Sequence, residues 1–313
     1  MKCLLLDGFN LAFRAYHAMP ELTRADGFPT GALQGWVRIL WKLQEQAQAG
    51  HAIVFFDKGG SRRHLEIHPQ YKANRAETPP ALAQQIPELK TIAVLLGFQL
   101  VEESGVEADD LIASAATRLA ADGDEVRIAS ADKDFAQLVN ERIRLLTPPA
   151  PGHGKEDWRE LDEAGVREKF GVGPAQIVDY LSLVGDTVDN IPGLPGVGAK
   201  TAAAWLGKYG SIEGILAARD TVEPVRHRKL LGESGELLER NRRLITFLTD
   251  LSGDWRERNE MNVSGAIAFF NRFSMSATLR EFERRRNWKD AAPKAPAPPK
   301  ARAAPQAGQL ELF

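Results

Sequence analysis

Cysteine is almost missing: Cys3 is the single one in 313 residues. That excludes an internal disulfide framework, a cysteine-ligated zinc site and a CxxC redox motif, and it fits a reducing compartment. Cys3 itself reads as a small core residue of the first strand. Long apolar runs are missing as well. The opening MKCLLLDGFN reaches Asp7 after a few apolar residues, and no later stretch approaches the ~20 residues needed to cross a bilayer. A soluble, cytoplasmic protein without a membrane partner is therefore expected. His17, His51, His64, His68, His153 and His227 show no ligand-like spacing, so none is a catalytic or metal candidate. A strong charge of one sign is also lacking, since the net charge is −2. That total argues against a phosphate-rich partner, because contacts to a nucleic-acid backbone need Lys and Arg.

What is present supports a sizeable core, with 43% apolar residues, a normal globular fraction. Apolar runs at Lys2 to Leu6, Ala52 to Phe56, Phe98 to Val101, Glu125 to Ala129 and Arg142 to Leu146 alternate with helical patterns. Such alternation predicts βαβ units and a doubly wound, mostly parallel α/β sheet. Helices are expected over Ala32 to Gln48, Pro87 to Leu96 and Ala108 to Ala121, the last rich in small residues suited to close packing on a sheet. From about Asp162 the texture changes to short helices separated by Gly and Pro, with Pro174 at a helix start and IPGLPGVGAKTA forming a glycine-punctuated turn into a helix. We place an α/β domain at 1–165 and a helical subdomain at 166–288. Residues 289–308, loaded with Ala, Pro and Lys and without apolar periodicity, read as a disordered linker.

Three of the apolar runs lead into aspartates: LLLD at Asp7, VFFD at Asp57, and RIASADKD with Asp132 and Asp134 just past the strand. The carboxyl ends of strands in an open parallel sheet form its ligand crevice, so these acids should converge. EADD adds Glu107, Asp109 and Asp110 at a helix start, and GDTVDN adds Asp186 and Asp189. Taken singly, either group reads equally as helix caps and dipole partners. Taken together, so many anions at one crevice repel one another unless cations neutralise them. An all-oxygen set without Cys and without paired His suits Mg²⁺ or Mn²⁺ rather than zinc. Two such ions about 3.5–4 Å apart serve in-line phosphodiester hydrolysis. Setting these nine acids aside takes the net charge from −2 to +7 for the rest of the chain, which removes the objection to a nucleic-acid partner. The basic stretches Arg62-Arg63, Lys72 to Arg75, Arg226 to Lys229 and Arg240 to Arg243 contribute to that balance, though each alone reads as a solvated helix face.

The ordered motifs LLLDGFNLAFRAYHA, GFPTGAL, VFFDKGGSRRH, YKANRAETP, GVEADDLIA, ASADKDFAQL and LVGDTVDNIPGLPGVGAKTA cover roughly residues 2 to 285. In that order they resemble the bacterial and phage 5′ nucleases. This family includes the 5′-to-3′ exonuclease domain at the N-terminus of DNA polymerase I and, more distantly, the flap endonucleases. The resemblance implies a PIN-like α/β fold with a helical arch at about 60–90 and a helix-hairpin-helix subdomain. It also implies a metal-dependent enzyme that cuts DNA at 5′ ends, flaps and nicks, and removes RNA primers. Asp7, Asp57, Glu107, Asp109 and Asp110 match the family's first metal set, and Asp132, Asp134, Asp186 and Asp189 extend it toward a second ion. Lys72 and Arg75 match the pair that clamps the scissile phosphate, which agrees with the gain a phosphoryl transition state draws from fixed cations. Arg14 is a further cationic candidate. Arg62 and Arg63 are candidate DNA contacts, with Arg62 standing where members usually carry an aromatic. Gly193, Gly196, Gly198, Lys200 and Thr201 match the hairpin that grips duplex DNA, where K⁺ bridges loop and phosphate in relatives. Open backbone and a helix N-terminus suit an anion. Phe9, Phe13, Tyr16 and Trp36 lie near the site but read as core.

The chain ends QLELF, an apolar cluster with no folding partner of its own. It resembles the bacterial sliding-clamp-binding peptide, with Gln309 fixing register and Leu310, Leu312 and Phe313 filling an apolar cleft, the alternative being a segment that docks on its own domain. A short peptide on a flexible linker raises the effective concentration of the attached monomeric enzyme. Two other classes compete with this reading. A non-catalytic junction-binding adaptor on the same fold is opposed by the full set of acids, and a toxin-like RNA-cleaving enzyme is opposed by GDTVDN and the hairpin segment.

Overall fold

The computed structural model describes residues 1–149 and 157–291, the last five of these by backbone alone. Six strands form the sheet: β1 Lys2–Asp7, β2 His51–Phe55, β3 Gln99–Val101, β4 Glu125–Ala129, β5 Ile143–Thr147 and β6 Arg159–Leu161. Their order is β3-β2-β1-β4-β5-β6, parallel except for β6, which runs antiparallel to β5 with Leu161 opposite Leu145. The first five strands match the apolar runs of the sequence. The sixth was not expected, because three residues, two of them charged, show no periodicity.

Both faces of the sheet are covered, and the strands alternate between two cores. Leu4, Leu6, Ala52 and Val54 face helices Gly8–Ala18, Gly31–Ala47 and Ile86–Leu95, while Cys3, Leu5, Ile53, Phe55, Val126 and Ile128 face helix Ala108–Ala121 and the helical region beyond residue 162. Burial on both sides explains why β1 and β2 read as nearly unbroken apolar runs. Cys3 is buried in this core, as expected.

Helices Ile177–Val184, Ala199–Tyr209 and Gly235–Ile245 form the centre of the helical region. Helices Val263–Arg272 and Ser276–Ala291, assigned from sequence to that same subdomain, pack instead on the first sheet face, where Phe269, Phe270, Phe273 and Phe282 join Trp41 and Leu96. Their aromatic residues need an apolar partner, and chain order does not say which face supplies it. The last helix continues to Ala291, past the expected start of the linker at 289. The rest of that linker and the peptide Gln309, Leu310, Leu312 and Phe313 lie outside the described residues.

The stretch expected to be a helical arch is helical only toward its ends, at Arg62–Ile67, Pro80–Ala83 and Ile86–Leu95. Between them residues 68–79 have no regular secondary structure. Pro69 and Pro79 each lack the amide that a continuing helix needs, and Lys72 takes a left-handed φ of 56°.

β1 runs into helix Gly8–Ala18 without a loop, and Asp7 caps that helix by accepting the Asn10 amide at 3.1 Å. The junction needs glycine at position 8, because a Cβ there would lie 2.4 Å from the Phe55 carbonyl oxygen and 2.7 Å from the Phe56 ring. Gly8→Ala should destabilise the chain by ~1–3 kcal/mol through overpacking, read from urea unfolding; a midpoint unchanged from wild type would show that the β1–β2 crossing is looser than described.

Candidate active site

The strand order reverses between β1 and β4, which pair directly, Leu6 opposite Ala129. Ligand crevices of doubly wound sheets lie at such a reversal, and here Asp7 ends β1 while Ser130, Asp132 and Asp134 follow β4. Ser130 Oγ donates to Asp7 Oδ2 at 2.7 Å and accepts the Asp132 amide at 3.0 Å, and Asp132 Oδ1 in turn accepts the Asp134 amide at 2.8 Å. Asp57, just past β2, accepts the Ala108 amide at 2.8 Å. That bond fixes the start of helix Ala108–Ala121 and with it Glu107 and Asp109.

The helical region contributes the remaining acids. Asp186 and Asp189 lie on a tight hairpin whose two-residue strands are Gly185–Asp186 and Ile191–Pro192. Tyr71 joins the halves, its hydroxyl lying 3.1 Å from Glu107 Oε2 and 3.3 Å from Asp189 Oδ2. Lys72 Nζ donates to Glu107 Oε1 at 2.8 Å and lies 3.9 Å from Asp189, while Arg75 donates to Asp189 Oδ1 at 2.5 Å. Lys133 pairs with Asp186 Oδ2. The irregular segment carrying Lys72 is tied to the hairpin by its own backbone, Lys72 N to Asp189 O at 3.0 Å, and by Asn74 Nδ2 to Thr187 O at 2.7 Å.

The electrostatics follow from burial. Burial pushes Asp7 up to about 6, against the hydrogen bonds from Ser130 and Asn10 and helped by the charges of Asp132 and Asp57. Burial, then repulsion from Asp7 and Asp132, holds Asp109 well above the usual carboxylate range. Burial, then Asp132, does the same to Asp134. Asp57 and Asp132 are raised too, again chiefly by burial. Glu107 differs: burial would raise it, but Lys72 and His64 hold it below its ordinary value.

Among the described residues no group of three or more acid, histidine or cysteine side chains is arranged to hold an ion as it stands. The reason lies in the bonds above, since most of the acids turn oxygens toward internal donors. The donor set nevertheless fits a hard cation: the ligands are carboxylates alone, several are held charged at a cost, and Asp134 Oδ1 is buried without a hydrogen-bond partner among the described residues.

Not every candidate joins this group. Asp110 turns to the helical region, accepting the Leu248 amide at 2.8 Å, with Arg63 3.9 Å away. Arg63 braces the same seam, donating to the Arg243 carbonyl at 2.7 Å, and Arg62 is exposed. Arg14 donates to the Pro149 carbonyl at 3.0 Å and lies over the Trp158 ring, with none of the acids among its partners. It follows Asp7 by about two helical turns, which carries it to the loop after β5. Gly193 is required by chain crossing, since a Cβ there would meet the Val184 carbonyl at 2.2 Å, whereas Gly196, Gly198 and Lys200 are exposed around the N-terminus of helix Ala199–Tyr209 beside half-buried Thr201. Ser130, Tyr71 and Lys133 were missed. Ser130 and Lys133 lie inside ASADKD and Tyr71 opens YKANR, so position beside the acids was the available signal.

An α/β sheet with a crevice of buried acids, extended by a helical hairpin domain, defines a class of phosphate-cutting proteins, and comparison with known proteins agrees. Residues 2–171 match the 5'-3' exonuclease N-terminal resolvase-like domain and residues 172–264 the 5'-3' exonuclease C-terminal SAM fold. A 5'-3' exonuclease of Aquifex aeolicus is 38% identical over 260 residues, 83% of this chain and 86% of that protein. DNA polymerase I of Pseudomonas aeruginosa is 41% identical over 261 residues, 80% of this chain but 28% of that longer protein. Among solved structures, phage T5 5'-exonuclease with bound divalent metal ions (zinc) aligns with a TM-score of 0.65 at 27% identity, covering 80% of this chain and 90% of that one. The catalytic core of Rad2 with DNA substrate, at 15% identity and a TM-score of 0.56, covers 87% of each chain and shares the fold. This chain belongs to the 5'-3' exonuclease family, and the non-catalytic adaptor weighed above has no support.

Because the ordinary value of an aspartate lies near 3.8 and Asp7 stands at about 6, its charge costs folding energy above pH 6, and that cost disappears as pH falls toward 4. In chelator, Asp7→Asn should therefore be more stable than wild type at pH 8, and its advantage should shrink as pH falls through 6. Thermal unfolding across that range checks this; a constant difference between the two proteins would mean that Asp7 is not held charged at a cost.

Proposed function

We propose that this chain hydrolyses DNA phosphodiester bonds at 5′ ends, flaps and nicks, with two Mg²⁺ ions, replaceable by Mn²⁺, held by the crevice acids. The observation that carries the reading is the meeting of buried carboxylates from both parts of the chain with Lys72 and Arg75 drawn onto them. Bound divalent cations supply the positive charge that acidifies an attacking water and stabilises the leaving 3′ oxygen. Asp7, Asp57, Glu107, Asp109, Asp132, Asp134, Asp186 and Asp189 hold that charge, and Asp110 steadies the seam behind them. Lys72 and Arg75 exchange their carboxylate partners for oxygens of the scissile phosphate, a fixed pair of donors facing the acids.

The exposed N-terminus of helix Ala199–Tyr209, with Gly196, Gly198, Lys200 and Thr201, holds the duplex backbone, with K⁺ between loop and phosphate. Flaps carrying RNA primers are cut as well as DNA. QLELF tethers the monomeric enzyme to the sliding clamp in the cytoplasm.

Labelled flap, nicked and single-stranded substrates with and without Mg²⁺ test the chemistry. Lys72→Ala should lose ~10²–10³-fold in cleavage and Asp132→Ala at least as much, with flap binding retained by Asp132→Ala; wild-type rates from both would end the reading. For the tether, excess QLELF peptide should abolish clamp stimulation of cleavage, and stimulation that persists at saturating peptide would remove the clamp as partner.

A further inference from the structure

Lys133 stands between two of the crevice acids, and the reaction as proposed does not use it. Its ammonium reaches from the turn after β4 to Asp186 on the two-stranded hairpin. We propose that Lys133 is a built-in counter-cation that stands in for a divalent ion at the outer acids and swings off Asp186 when an ion binds. The proposal rests on the metal-dependent reading above.

Each oxygen of Asp186 has a partner while Lys133 is in place. Oδ2 is taken by the ammonium, and Oδ1 accepts the Val188 amide at 2.9 Å. Burial opposes the charge on Lys133, but the bond from Asp186 and the charges of Asp134, Asp186 and Asp132 outweigh it. An ammonium and a dication cannot share that position without strong repulsion, so binding of one is linked to departure of the other.

Lys133 differs from the other two cations at the site. Lys72 and Arg75 ride on a segment without regular secondary structure. The backbone around Lys133 is fastened by the Asp132 amide on Ser130 Oγ at 3.0 Å, the Asp134 amide on Asp132 Oδ1 at 2.8 Å and the Ala136 amide on the Lys133 carbonyl at 3.1 Å. Only the side chain can move, and it has a way out: it is 34% exposed, against 9% for Asp186. Lys169 stands near enough to repel Lys133.

An internal cation of this kind neutralises the empty acids and weakens their grip on ions by competition. Lys133→Gln should lower the unfolding temperature in chelator yet bind Mn²⁺ about tenfold more tightly, measured on the full chain without DNA by electron paramagnetic resonance. Lys133→Arg, which keeps the charge, should restore both properties toward wild type. Unchanged or weaker Mn²⁺ binding by Lys133→Gln, with normal binding by wild type, overturns the counter-cation and leaves the metal-dependent reading intact. Absence of Mn²⁺ binding by wild type overturns both. Should the glutamine variant not fold, amine labelling of Lys133 in the wild-type chain, read by mass spectrometry, decides instead: labelling should rise on Mn²⁺ addition, and a constant level refutes the displacement.

Discussion

Carboxylates crowded at the carboxyl edge of a sheet repel one another, and burial removes the water that would screen them. This constraint shapes the whole crevice. Asp7, Asp57, Asp109, Asp132 and Asp134 are all pushed up by burial, while Glu107, with Lys72 on it, moves the other way. Where a cation is in contact, charge is tolerated; elsewhere the acids are held at a cost. Such a site is stable only with positive charge supplied by the chain or by solvent. The ion pairs of Lys72, Arg75 and Lys133 are the chain's supply.

The same constraint explains why the two parts of the chain are fastened so closely beside the acids. His64 Nε2 donates to the Leu244 carbonyl at 3.0 Å, and its Nδ1 lies 2.6 Å from Ser61 Oγ. These two contacts fix the ring, which stacks on Tyr71, whose hydroxyl spans Glu107 and Asp189. His68 and Asn190 complete the tie, His68 Nε2 to Asn190 O at 3.1 Å and Asn190 Nδ2 to Gln70 O at 2.6 Å. Acids from the sheet and from the hairpin could not be held against their mutual repulsion without such fastening. The fastening residues are polar groups with internal partners, so their effect is positional.

Much of the fold was legible in the sequence. Apolar runs marked five of the six strands, because strand positions turned to a core on either face call for apolar side chains. Helix Ala108–Ala121 was legible in its many small residues, which suit close packing between the sheet and the neighbouring core. The turn into helix Ala199–Tyr209 was visible in its Gly and Pro spacing. The irregular segment 68–79 was not, since the motif around Lys72 suggested a helix while the prolines at either end broke it. The return of the aromatic C-terminal helices to the first sheet face was equally hidden, because their pattern specified an apolar partner but not its address.

Sequence alone determined that Asp7, Asp57, Asp132 and Asp134 would share an edge, because parallel strands put their carboxyl ends on one side, and that cations would be needed, because like charges repel. Tertiary structure alone decided which atoms meet: Asp110 on the Leu248 amide, Arg14 on the Pro149 carbonyl, Lys133 on Asp186. Each of those partners comes from a segment far along the chain. Periodicity fixes which way a side chain leaves its own strand or helix, but what it meets there is set by packing between elements whose arrangement no local pattern encodes.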